Sequence, residues 1–167
     1  MNHKSTRILA IDPGYERLGI AVLEKNEGDR KETLLFSECF KTKTTNTHAE
    51  RLLLLGQEIS RVIEKYKPTA LAIETLFLTT NHKTVMLVSE ARGVILYESA
   101  RHNLYIHEFS PPQIKSAVAG DGHCDKKAII KMIPILIKLE KELKHDDEYD
   151  AIAVGLTYFA YCKAKNF

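Results

Sequence analysis

Four acids in this chain have the type and placement to do chemistry together: Asp12, Glu74, Asp147 and Asp150. Asp12 follows the apolar run Ile8-Leu9-Ala10-Ile11 and precedes the breaker Pro13-Gly14. That pattern puts a carboxylate at the mouth of a buried strand, where the backbone turns out of a sheet. Glu74 ends a second apolar run, Ala70 to Ile73, in the same way. Ligands of open α/β sheets gather at the carboxyl ends of the strands, so neighbouring strands would bring both acids into one cavity. Asp147 and Asp150 are three apart at the start of a helix and share a face. A helix start also favours negative charge through its exposed N–H groups.

Four carboxylates held together repel one another and raise each other's pKa, and divalent cations relieve that repulsion. Oxygen ligands without Cys or His select Mg²⁺, with Mn²⁺ as a substitute, rather than zinc. Two such ions bracketing a phosphate would activate a water and stabilise the leaving oxygen. The implied reaction is phosphodiester hydrolysis by in-line attack, with no side-chain nucleophile. Neither a Ser/His/Asp arrangement nor an activated Cys stands in a convincing context. Each acid also has a plainer reading. Asp147 alone reads as a helix cap, Asp150 as a solvated helix residue, and Glu74 as the partner of a buried Arg. Asp146 rivals Asp147, because it too shares a face with Asp150.

The elements that must position these acids follow from periodicity. Ile8 to Ile11 reads as a central strand. With Leu18 to Glu24 and Lys31 to Phe40 it suggests an antiparallel meander. Thr47 to Tyr66 has helical spacing, with Leu52, Leu55, Ile59 and Ile63 on one stripe, and Pro68 ends it. Ala70 to Ile73 is a further strand. His82 to His102 is a long helical segment carrying Val85-Met86-Leu87-Val88 and Val94-Ile95-Leu96-Tyr97. Four apolar residues in a row cover most of a helix circumference at about 100° per residue. Such a helix calls for burial on two sides, by the sheet and by either a neighbouring helix or a second subunit. Leu104 to Phe109 is a fifth strand, and Pro111-Pro112 opens a short helix to Val118. Asp125 has the position of an N-cap for a helix through Ile137, kinked or restarted at Pro134. Asp147 to Lys163 is the final helix. Repeats, low-complexity tracts and linkers are lacking, so residues 1–167 read as one α/β domain.

Composition excludes little. The chain has 167 residues, ordinary apolar content and a net charge of +2, which does not by itself announce a nucleic-acid binder. No apolar run is long enough to span a bilayer, and Met1 to Thr6 does not read as a signal peptide. Cys39, Cys124 and Cys162 form no CxxC pair, which fits reduced thiols without a role in a reducing cytoplasm.

With these residues in place, the chain resembles the RuvC Holliday-junction resolvases. Ile8-Leu9-Ala10-Ile11-Asp12-Pro13-Gly14 resembles their opening strand. Ala72-Ile73-Glu74-Thr75-Leu76-Phe77, followed by Asn81, resembles their second acidic motif. Glu90-Ala91-Arg92-Gly93 resembles the core of their long helix. The stretch from Pro112 through Lys115 and Gly120-Asp121-Gly122 to Lys126 resembles their Pro-x-x-(Val/Ile)-Lys…Gly-x-Gly…Lys segment. Asp147-Glu148-Tyr149-Asp150-Ala151-Ile152-Ala153 resembles their last helix. The five motifs occur in family order over nearly the whole chain.

The resemblance implies an RNase H-like fold, with a mixed five-stranded sheet and helices on both faces. It implies a homodimer that resolves four-way DNA junctions by paired symmetric nicks in recombination and repair, dependent on Mg²⁺ or Mn²⁺. The family's catalytic and metal-binding acids fall on Asp12, Glu74, Asp147 and Asp150, with Asp147 favoured over Asp146. Phe77 matches an aromatic that contacts unpaired bases, where stacking holds an opened junction; core packing is its plainer role. Lys115 and Lys126 match residues that hold phosphates, which set position and salt sensitivity rather than sequence choice. Lys127 and Lys131 extend that patch or belong to a solvated face. The resemblance also suggests the RuvA and RuvB branch-migration proteins as partners.

Two features depart from this pattern. Ser89-Glu90 replaces the usual Gly-Gln on the presumed dimer helix. Tyr15 to Ala21 also resembles the YqgF family, a related group tied to ribosomal RNA processing, which keeps structured RNA as an alternative substrate. A non-catalytic nucleic-acid-binding module of the same fold is a further alternative. Sugar kinases and actin-like ATPases share an Asp-x-Gly turn after their first strand, but they need two such domains and a second phosphate loop.

Overall fold

The computed structural model describes residues 5–76, 82–139 and 142–163. Strands β1 (Ser5–Asp12), β2 (Arg17–Asn26) and β3 (Thr33–Lys41) form the antiparallel meander. They are followed by α1 (His48–Tyr66), β4 (Ala70–Glu74), α2 (His82–Arg101), β5 (Tyr105–Phe109), α3 (Pro111–Ala119), α4 (Lys126–Leu136) and α5 (Asp146–Lys163). The sheet order is β3-β2-β1-β4-β5. β1 pairs antiparallel with β2 and parallel with β4, and β5 runs parallel to β4. This is the mixed five-stranded sheet with helices on both faces that the motifs imply.

β1 explains its own composition. Ile8, Leu9, Ala10 and Ile11 are all fully buried because both faces of the strand are covered. Leu9 and Ile11 point into the layer of α1 and α2, while Ile8 and Ala10 point into the layer of α3, α4 and α5. Side chains alternate along a strand, so Asp12 follows Ala10 onto the α5 side. The same parity carries Ala70 and Ala72 of β4 to Glu74. Since Ile11 stands beside Ile73 in the parallel register, the two acids emerge side by side beneath α5.

The helices are held by local chemistry. Thr47 and Glu50 form a capping box at the start of α1, and Lys67 closes it in the left-handed region at φ 50°. The Asp125 side chain accepts from Ala128 N at 2.8 Å, so it is the N-cap of α4. α4 runs through Pro134 to Leu136, one residue short of the expected end. α5 begins at Asp146, one residue early. Ala151, Ile152, Ala153 and Val154 are almost completely buried, as expected of a helix laid flat across a sheet.

Two glycines set how flat. A Cβ on Gly155 would stand 2.5 Å from Leu23 Cδ1 and 3.2 Å from Ala10 Cβ. A Cβ on Gly19 would stand 2.2 Å from the main-chain oxygen of Asp147 and 3.1 Å from Asp12 Cβ. α2 is buried along a narrow stripe of Ala91, Ile95 and Ser99. α1 covers one flank, where Gly56 meets Val94, but Met86 and Tyr97 remain 63% and 66% exposed. The neighbouring helix is therefore real and covers only part of the apolar circumference.

Substituting Gly19 with Ala forces backbone apart at the first turn of α5. Urea unfolding of Gly19→Ala is expected to show a loss of about 1–3 kcal/mol, and an unchanged midpoint would contradict this packing.

Candidate active site

The four sequence-selected acids meet at one end of the α5 layer. Asp12 and Glu74 share a side-chain hydrogen bond, and Asp12 feels the charges of Asp150, Glu74 and Asp147. Burial and then these three neighbours push the Asp12 carboxyl well above the ordinary aspartate value. Glu74 is also raised, by burial first; the bond from Asp12 and the charges of Lys115 and Lys126 pull against the rise. Asp150 is raised by burial despite its bond to Lys126. Three carboxyls raised together, those of Asp12, Glu74 and Asp150, mark a site short of positive charge.

α5 decides between the rival aspartates. Asp146 points outward, 65% exposed, at 3.5 Å from Lys126 Nζ. Asp147 is turned in, 22% exposed, and pairs with Arg17 at 2.7 Å. Asp147 raises Asp12 and Asp146 is not among the charges that do. The cap reading of Asp147 fails as well, since it lies inside the first turn rather than before it. Glu74 has no buried Arg on its carboxylate; Arg92 instead donates to its main-chain oxygen at 3.4 Å and pairs with Glu108. The arginine of the long-helix motif thus ties α2 to the ends of β4 and β5, and holds the strand end that carries Glu74.

The expected lysines lie on one bank. Lys115 of α3 and Lys126 of α4 line a cleft of ≈230 Å³ with Glu74 and Asp150. Lys126 Nζ donates to Asp150 Oδ2 at 2.7 Å. Burial opposes its charge, but Asp150 and Asp146 outweigh that and raise its pKa. Lys127 and Lys131 are exposed on α4 and do not line this cleft. Phe77 lies outside the described residues.

Three further residues reach the site without having been expected there. β3 presents Ser37, Cys39 and Lys41 in turn to the entry of α5. Ser37 Oγ donates to Glu148 at 2.8 Å, Cys39 Sγ to Asp147 Oδ2 at 3.4 Å, and Lys41 Nζ lies 3.0 Å from His145 Nε2. Cys39, read as an idle thiol, therefore touches a candidate ligand, and burial raises its pKa. Cys39 and Lys41 carry no motif, and the stretch that contains Arg17 assigned it no role; the β2–β3 register, with Gly19 opposite Cys39 and Arg17 opposite Lys41, reveals them.

Hard oxygen donors in an electron-rich pocket suit Mg²⁺ or Mn²⁺. As placed, no three His, Cys, Asp or Glu side chains among the described residues are gathered closely enough to enclose an ion. Arg17 pairs with Asp147 and Lys126 with Asp150. Protein cations balance the acids in this arrangement.

The family model for crossover junction endodeoxyribonuclease RuvC matches residues 8–158. The chain belongs to the RuvC family. The RuvC of Thermosipho melanesiensis is 40% identical over 149 residues, covering 89% of this chain and 94% of that protein. The RuvC of Alkaliphilus oremlandii is 41% identical over 151 residues, covering 90% and 91%. The structure of Thermus thermophilus RuvC in complex with Holliday junction substrate is 27% identical and covers 96% of both chains, with a TM-score of 0.88. RuvC membership and this overlay bear out the RNase H-like architecture.

The raised carboxyls give this RuvC-family site a pH signature. Asp12, Glu74 and Asp150 hold protons more tightly folded than unfolded, so the folded state carries the extra protons between the ordinary and the raised pKa. Stability of the metal-free protein then falls as pH rises through that window. In EDTA, Asp12→Asn is expected to unfold at a higher temperature than the wild type at neutral pH. The gap should close as the pH approaches the ordinary aspartate value of 3.8. Each kcal/mol of relieved repulsion corresponds to about 2–4 °C. Excess Mg²⁺ should raise the wild-type midpoint and leave that of the variant nearly unchanged. Identical melting of the two proteins in EDTA at neutral pH would contradict the assignment.

Proposed function

We propose that this chain is a crossover junction endodeoxyribonuclease, a hydrolase that resolves four-way DNA junctions by paired nicks during recombination and repair. One observation carries the reading. In a RuvC-family chain, Asp12 and Glu74 emerge from adjacent parallel strands under Asp147 and Asp150, with Lys115 and Lys126 beside them. Residues 1–167 then form one nuclease domain. No helix among the described residues is long and apolar enough to cross a membrane, which accords with a cytoplasmic DNA enzyme.

Asp12, Glu74, Asp147 and Asp150 would hold the divalent cations, two per site. Bound there, Mg²⁺ or Mn²⁺ supplies an activated water and charge stabilisation at the leaving oxygen. Lys115 and Lys126 would hold the phosphate of the strand to be cut, and Lys126 would leave Asp150 if that carboxylate held a cation. Burial and negative neighbours raise the Asp12 pKa, and bound cations would remove the second cause and favour its carboxylate form. Phe77 stacks on bases opened at the crossover.

The exposed Met86 and Tyr97 on α2 give a second copy an apolar face. A four-way junction has approximate two-fold symmetry, which a two-fold dimer with two clefts matches. Glu90, where the family pattern has Gln, lies 2.8 Å from His48 Nε2 of its own chain, so its carboxylate has a partner within the protomer. RuvA and RuvB are the partners expected to deliver the junction.

The test is a labelled four-way junction beside duplex DNA, a flap and structured RNA, with and without Mg²⁺. Junction-selective paired nicking that stops in EDTA is expected. Asp12→Asn should cut at background level while binding the junction as the wild type does. Preference for structured RNA would favour the YqgF-like alternative, and binding without cutting would favour an inert module. In sedimentation the protein should be a dimer, and a strict monomer that still makes paired nicks would overturn the symmetry argument.

A further inference from the structure

The bank of the cleft opposite Lys115 and Lys126 carries a second set of cations. Arg17 of β2 and Lys41 of β3 are direct cross-strand partners, and both project onto the α5 side of the sheet. His145, just before α5, lies between them, with Nδ1 3.3 Å from Arg17 Nη2 and Nε2 3.0 Å from Lys41 Nζ. Like charges directly opposite each other on a sheet are destabilising. A neutral imidazole has only one acceptor nitrogen, so it accepts from one of these two donors and leaves the other with a hydrogen to give. Among the described residues Asp147 is the one carboxylate paired here, on Arg17 at 2.7 Å. Among the described residues no carboxylate pairs with Lys41, and Lys41 is exposed. The cluster has an unmet demand for negative charge, and that demand grows if Asp147 is drawn toward a cation.

The sheet order turns this into a site. Along this edge of the sheet, from β3 to β4, the residues run Lys41, Arg17, Asp12, Glu74, and Lys115 and Lys126 line a cleft with Glu74. The acids therefore sit between two basic banks. We propose that Arg17 and Lys41 form a second phosphodiester-binding site, which holds the nucleic-acid backbone next to the cut linkage on the side away from Lys126. This rests on the proposed nuclease function and adds to it a residue pair that grips the same strand. Arg17 presents a planar fork suited to phosphate oxygens, and Lys41 a point charge. The contact is electrostatic and reads no base.

The experiment compares Lys41→Ala with Lys31→Ala, in EDTA so that binding is read without cutting. Lys31 is an exposed lysine that precedes β3, at the far end of that strand from Lys41. Affinity for a four-way junction is measured across KCl concentrations. Lys41→Ala should bind several-fold more weakly, with its log–log salt slope reduced by about 1. Lys31→Ala should match the wild type, and Lys41→Arg should restore binding. Methylphosphonates placed singly around the cut position should identify one linkage whose neutralisation weakens the wild type and has no further effect on Lys41→Ala. Equal behaviour of Lys41→Ala and Lys31→Ala, or additive losses at every linkage, would overturn the site. Wild-type protein that binds no junction would instead remove the underlying reading of function.

Discussion

Helix α5 approaches the sheet so closely that its first turn and β2 have no room for a side chain between them. Gly19 permits this, because any Cβ there would collide with the backbone of Asp147. Gly155 repeats the device further along, against Leu23 and Ala10. The site depends on that approach. Asp12 and Glu74 are placed by strand parity alone, but Asp147 and Asp150 come within electrostatic range of them only because the helix is pressed onto the strands. Interiors are close-packed and transmit such displacements, so a small shift of α5 is a shift of half the carboxylates.

The approach has an electrostatic cost, which the raised carboxyls of Asp12, Glu74 and Asp150 record. The protein offsets it with Arg17 on Asp147 and Lys126 on Asp150. Both pairs are partly solvent-exposed, and such pairs contribute little to stability. On the proposed function, a divalent cation would compete with them for the same carboxylates.

Much of this was legible in the chain. The all-apolar β1 run announced a strand covered on both faces, the acids at two strand ends announced a cleft, and Asp125 announced its helix start. What the pattern did not carry depended on how distant elements meet. Arg17, Cys39 and Lys41 reach the site through a pairing register that no local motif encodes. Spacing alone left Asp146 and Asp147 open; the family motif favoured Asp147, and the rotation of α5 shows it turned in and Asp146 turned out. Glu148 carried no reading of its own, yet it is buried on Ser37. Arg92 belonged to a recognisable motif, yet its grip on the Glu74 main chain became visible only once α2 was set against β4 and β5.

The central claim is that four carboxylates form one cation site whose arginine and lysine partners yield on loading. The most direct measurement is anomalous diffraction from crystals grown with Mn²⁺. The account predicts manganese peaks bounded by Asp12, Glu74, Asp147 and Asp150, with Asp147 moved off Arg17 and Asp150 moved off Lys126. Manganese bound elsewhere, or an empty cleft with both ion pairs intact at saturating Mn²⁺, would contradict it.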